Sequence, residues 1–124
     1  MICFDAHAAC EYQRENGTTM SINECYGHEV KKSDEKILNV YSSYRQTLDT
    51  EGKKELLNLQ RSWINYKLKQ CSHEVAQYGR GSIVNQLYSQ CMINMNDRRI
   101  DELRYLGECN LASSSGFCAT FRDN

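Results

Sequence analysis

Leu56-Leu57-Asn58-Leu59-Gln60-Arg61-Ser62-Trp63-Ile64-Asn65-Tyr66-Lys67-Leu68-Lys69-Gln70-Cys71 is the stretch on which the fold turns. Leu57, Gln60, Ile64, Leu68 and Cys71, continued by Val75, recur at three- and four-residue steps, the period of one helical face. Leu56, Leu59, Trp63 and Tyr66 widen that face beyond a narrow coiled-coil seam, as a helix in a globular bundle requires. The pattern predicts a helix over about 53–78. Downstream, Gly79-Arg80-Gly81-Ser82 supplies a glycine to end this helix and a serine to cap the next. The next helix is predicted over about 83–106, with Val84, Leu87, Cys91, Met95, Leu103 and Leu106 inward. Asn94 and Asp97 mark a place where it restarts after a kink, and Gly107 ends it.

Upstream, Glu51-Gly52 breaks the period. Before it, Val30, Ile37, Tyr41, Tyr44 and Leu48 form one stripe of a helix predicted over about 19–49, capped by Thr18 or Thr19. Asn16-Gly17 is a turn signal, so residues 1–18 read as a loop or short helical turn tethered by Cys3 and Cys10. Proline is absent from all 124 residues, which suits long helices. No strand-like alternation and no internal repeat appear. The expected fold is all-α, three to four antiparallel helices in a small disulfide-stapled bundle. It forms one domain over 1–124: a tether (1–18), a helical core (19–107) and a Ser-rich, Cys-containing tail (108–124).

Hydrophobic residues make up 40% and charged residues 25%, so the chain can bury a core. The net charge of −1 gives no basic excess with which to hold nucleic acid or a membrane surface. No run approaches the roughly 18 apolar residues of a membrane-spanning helix. Met1 is followed by too little apolar sequence for a signal peptide, so an export signal is expected to be missing from this stretch. The charge is uneven. Asp5, Glu11, Glu15, Glu24, Glu29, Asp34 and Glu35 face only Arg14, Lys31 and Lys32 in residues 1–35, whereas Lys53, Lys54, Arg61, Lys67 and Lys69 face only Glu55 in 53–69.

Seven cysteines, at 3, 10, 25, 71, 91, 109 and 118, are far above ordinary usage and are not grouped as zinc knuckles. They read as a disulfide framework for an oxidising compartment, with one thiol left over. Cys71 and Cys91 are equidistant from Gly81, so an antiparallel hairpin about that turn brings them together, as a bridge requires. Cys10–Cys25 is the next expected pair, and Cys109 pairs with Cys118 or with Cys3.

Candidate chemistry is sparse. Cys25 with His28 and Cys71 with His73 offer metal-ligand types, but without paired Cys-x-x-Cys spacing they are expected to serve disulfides rather than zinc. A cysteine nucleophile would need an unbridged thiol beside His28 or His73, and nothing singles one out. The Gly-x-Ser-x-Gly, phosphate-loop and His-Glu-x-x-His motifs are missing. Asp34-Glu35 and Asp101-Glu102 are adjacent on helices, splay apart, and read as solvated surface. Most tyrosines read as core and core margin. Arg61, Lys67 and Lys69 read as a solvated face rather than a site for an acidic partner. No catalytic residue, metal or cofactor is expected.

The string Leu59-Gln60-Arg61-Ser62-Trp63-Ile64, with Tyr66, Lys67 and Cys71, resembles the Gln-Arg-x-Trp-Ile-x-(aromatic)-Arg-Asp-x-x-Cys signature of the LprI-like lysozyme inhibitor domain. Thr19-Met20-Ser21-Ile22-Asn23-Glu24-Cys25 is similar to that family's Thr-x-x-Glu-Met-Asn-x-Cys opening, and Leu38-Asn39-Val40-Tyr41 to its Leu-Asn-x-x-Tyr step. Gly81-Ser82, Cys91 and Arg98 to Leu103 match its remaining landmarks, so the resemblance covers about 10–107. Lys67 and Leu68 replace the Arg-Asp pair, and Cys109 and Cys118 lie outside the pattern. Gln60, Arg61, Trp63, Tyr66 and Gly81 are thereby motif positions with a structural role. The resemblance implies a bacterial, helical, disulfide-paired domain, periplasmic or secreted, that is not an enzyme and acts by protein contact. The expected function is a binding module that blocks a lysozyme-like cell-wall hydrolase. Lysozymes are cationic, so Asp5, Glu11, Glu15, Glu24 and Glu29 are the expected contact. The alternatives are an immunity protein neutralising a toxin delivered to the periplasm, and, third, a thiol-dependent enzyme. Target and oligomeric state are not legible.

Overall fold

A computed structural model describes the backbone of residues 9–111 and the side chains of 9–109. Its helices are α1 (Glu11–Asn16), α2 (Thr19–Arg45), α3 (Thr50–Ala76) and α4 (Ile83–Leu111), and no strand occurs among the described residues. The all-α reading holds, and so do both bridges expected within the helical core, Cys10–Cys25 and Cys71–Cys91. Cys109 is also disulfide-bonded. Cys3, Cys118, Asp5 and the tail beyond Leu111 lie outside the described residues, and with them the choice of partner for Cys109.

Local chemistry sets the helix boundaries. Thr18 caps α2, its Oγ1 accepting from the Ser21 backbone N–H at 3.1 Å. Asp49 caps α3 by accepting from the Gly52 N–H at 2.8 Å. Glu51-Gly52 is therefore the first turn of α3 and not a break before it. A side chain on Gly52 would stand 3.1 Å from the capping carboxylate and 3.2 Å from Leu48, so glycine here makes room for the cap. Gly79, at φ +72°, takes the left-handed conformation that ends α3. The helix does not restart at Asn94–Asp97: α4 runs unbroken from Ile83 and passes through Gly107 to Leu111. Gly107 lies against Tyr44 of α2, and its mid-helix cost of roughly 1 kcal/mol does not end the helix.

α4 is the spine. Tyr26 of α2 packs on Ile93, Ile37 on Ile100 and Leu103, and Tyr44 beside Gly107, so α2 and α4 run parallel. Cys71 meets Cys91 and Leu56 meets Leu103, so α3 runs antiparallel to both. The turns at 46–49 and 77–82 impose this up-down-up order. α2 and α3 approach each other far less closely than either approaches α4. Three apolar clusters line the spine, around Cys10–Tyr26–Ile93, around Ile37–Leu56–Ile100–Leu103 and around Cys71–Cys91–Met95, with Trp63 joining the last two.

One face was misassigned from the sequence. The buried residues of α3 are Leu56, Lys67, Cys71 and Val75, whereas Leu57, Leu59, Ile64, Tyr66 and Leu68 are exposed. Cys71, Val75 and the flanking Leu56 and Trp63 face inward as expected, but between them the inward line passes through Trp63 and Lys67 instead of Ile64 and Leu68. Periodicity fixes the helix but cannot choose between neighbouring stripes when apolar residues occupy both. Lys67 was therefore wrongly counted among the solvated cations.

The Cys71–Cys91 bridge closes the α3–α4 hairpin over a sequence separation of 20. Replacing both cysteines by serine is expected to cost about 3 kcal/mol of unfolding free energy, measured by urea denaturation, with α-helical circular dichroism retained.

Candidate functional site

Where α2, α3 and α4 converge, the core turns polar. Asn96 is fully buried. Its Oδ1 accepts from Lys67 Nζ at 3.0 Å, while its Nδ2 donates to Ser33 Oγ at 3.0 Å and to Asp34 Oδ1 at 2.9 Å. Asp34 Oδ1 also stands 4.0 Å from Lys67 Nζ, so one carboxylate and one ammonium bracket the amide. Asp34 is thus a network member and not merely solvated surface. The Lys67 ammonium lies 4.8 Å from the centre of the Trp63 ring, and the Arg99 guanidinium lies 5.8 Å from it. Arg99 Nε donates to Gln60 Oε1 at 2.9 Å, and its Nη1 lies 3.9 Å from Glu102. Burial lowers the pKa of Lys67, partly offset by Asp34. Burial lowers that of Arg99 too, against Glu102 and Tyr44. Gln60 and Trp63 of the motif therefore belong to this network. Arg61 and Tyr66 are exposed, and Gly81 lies in the α3–α4 turn, accepting from the Val84 N–H at 3.0 Å. Asn96 and Ser33 escaped the sequence reading, and Arg99 entered it only within the family landmark Arg98 to Leu103. Asn96 and Arg99 carry a signal in the sequence, as polar residues interrupting the apolar stripe of α4, and Ser33 carries none.

Two surfaces flank this centre. The first is the N-terminal end, where α1 is tied to α2 by Cys10–Cys25. Glu11, Glu15 and Glu24 are exposed there, near Tyr12 and Met20, each 72% exposed. Glu29 differs from them: it is buried, 3.6 Å from Lys32, and its Oε2 finds no hydrogen-bond partner among the described residues. The second is a groove of about 470 Å³ between α2 and α3, lined by Ile37, Leu38, Tyr41, Leu57, Trp63 and Ile64, with Asp34, Gln60, Arg61 and Lys67. Cys25 and Cys71 are consumed in bridges, and no cluster of three or more metal-ligating side chains occurs among the described residues.

Truncating Asn96 strands a buried ammonium, so Asn96→Ala is expected to lose about 3 kcal/mol of stability in chemical denaturation. Lys67 gives a pH signature. Its folded pKa lies below the unfolded 10.5, so between those two values the unfolded chain binds more protons. Wild-type stability relative to Lys67→Met is expected to rise with pH across that window. Below it the difference is flat, because the ammonium is charged in both states.

The family profile described as "Lysozyme inhibitor LprI" matches residues 10–103. The match runs from the first cysteine of the α1–α2 bridge to the Leu103 of the central cluster, and contains both bridges and the whole polar network. No curated protein and no solved structure matches the chain. With well over half of its length matched, the chain belongs to the LprI lysozyme inhibitor family.

Proposed function

We propose that this protein is a binding module of the periplasm or the cell exterior that blocks a lysozyme-like cell-wall hydrolase by direct protein contact. The family match over residues 10–103 is the observation that carries this reading. Two disulfides within the matched region suit an oxidising compartment, and no described helix is long and apolar enough to cross a membrane. A stapled helical scaffold loses little conformational entropy on binding, which favours inhibition by surface complementarity.

The contact proposed is the end of the molecule formed by α1 and the start of α2. Exposed Glu11, Glu15 and Glu24 complement a cationic hydrolase, with Asp5 in the same acidic stretch, and Tyr12 and Met20 offer apolar anchors. Glu29 is buried and is left out of this contact. Cys10–Cys25 holds the two helices in one arrangement, so the acids and the anchors move as a unit.

Lysis of a cell-wall suspension by hen egg-white lysozyme, or by a bacterial lysozyme-like hydrolase, is expected to fall with stoichiometric protein. Glu15→Lys combined with Glu24→Lys should weaken inhibition roughly tenfold at low salt, with a smaller effect at high salt. Undiminished lysis at stoichiometric excess overturns the reading.

A further inference from the structure

Leu57, Ile64 and Leu68 carry a helical period that calls for a partner, yet they are 41, 43 and 42% exposed, and Leu38 opposite them on α2 is 60% exposed. Along α3 the positions Lys54, Leu57, Arg61, Ile64 and Leu68 repeat at steps of three, four, three and four, the spacing of a coiled-coil seam. Along α2, Asp34, Leu38 and Tyr41 repeat at four and three. Leu57, Arg61 and Ile64 of the first stripe and all three residues of the second line the groove of about 470 Å³, together with Ile37 and Trp63. α4 holds α2 and α3 from behind but leaves them splayed, so each offers a seam that no described helix occupies.

The geometry points to a docking site for one amphipathic helix of an acidic protein partner, laid between α2 and α3 to complete a four-helix arrangement. From Leu57 to Leu68 the α3 seam rises about 17 Å, room for roughly three helical turns. Charge selects the occupant. Lys54 and Arg61 stand on the α3 seam with no acid among them, and the one acid in the groove lining, Asp34, is offset by Lys67 at 4.0 Å, so the lining keeps the charge of Arg61. A second copy presenting its own α3 seam would bring further cations and no acid to this one, and a cationic hydrolase would meet the same repulsion. This face therefore serves a partner other than the one proposed for the acidic end, and it does not depend on that proposal.

Trp63 is the only tryptophan and lines the groove, so its emission reports occupancy. The intact protein is titrated with two tryptophan-free helical peptides of about 18 residues. Both carry the same leucine seam, one flanked by glutamates and the other by lysines. The glutamate peptide is expected to give a saturable change with a Kd of ~10 μM, and the lysine peptide to bind at least roughly tenfold more weakly. Arg61→Glu should reverse that preference and Ile64→Glu should abolish both titrations. Both side chains are exposed, and circular dichroism checks that the variants fold. Arg61→Glu should leave hydrolase inhibition unchanged. No saturable change with the glutamate peptide, equal binding of the two peptides, or indifference to Arg61→Glu overturns the proposal. Sedimentation showing a dimer that Ile64→Glu dissociates overturns it in favour of a second copy.

Discussion

The contact of the Lys67 ammonium with the Asn96 amide sets the geometry of the whole molecule. Lys67 belongs to α3, Asn96 to α4, and the amide passes the connection on to Ser33 and Asp34 of α2. One residue of the spine thus fixes the register of both flanking helices. Apolar clusters tolerate sliding by a turn, because leucine meets leucine either way, whereas a buried amide with committed donor and acceptor does not. Trp63 has the two buried cations 4.8 and 5.8 Å from its ring centre and joins two apolar clusters, so the polar centre and the hydrophobic core are one packed unit. The replacement of the family's Arg-Asp pair by Lys67-Leu68 takes on a meaning here. The cation at the first position points inward to the amide, and the second position faces solvent, where leucine adds to the exposed seam.

Elements with a strong local signal were legible in the sequence. Three long helical periods, the Thr18 cap, the glycine at Gly79 and the hairpin symmetry of Cys71 and Cys91 all depend on residues close along the chain. What was illegible depends on contacts distant in sequence. The choice between the Leu57 stripe and the Leu56 stripe of α3 is made by α4, some 40 residues on. Lys67 reads as a surface cation until Asn96 is seen opposite it. Asp49, three residues before Gly52, turns an apparent helix breaker into part of a capped first turn, and Gly107 lies against Tyr44 within a helix. Of the motif positions, Gln60 and Trp63 mark the polar centre, whereas Arg61 and Tyr66 belong to the surface. Glu11, Glu15 and Glu24 stand in solvent as the charge pattern suggested, while Glu29 turns in toward the bundle.

Charge is unevenly spread over the molecule. An acidic end locked by one disulfide and a cationic, apolar groove lie on different parts of one scaffold, with the polar centre between them. Such a division lets one small domain discriminate partners by repulsion as much as by attraction.

The parallel pairing of α2 with α4 has a consequence for the order of folding. Tyr26 meets Ile93 and Ile37 meets Ile100, so α2 acquires its main partner only after some 60 further residues have been made. A chain emerging from its N-terminus therefore presents α2 with its apolar stripe bare, while α3 and α4 can still close on each other as a local hairpin. During that interval Cys10–Cys25 is the one described covalent tie within reach, since it needs only α1 and the start of α2. The bridge near the beginning of the chain thus guards the segment that waits longest for its place.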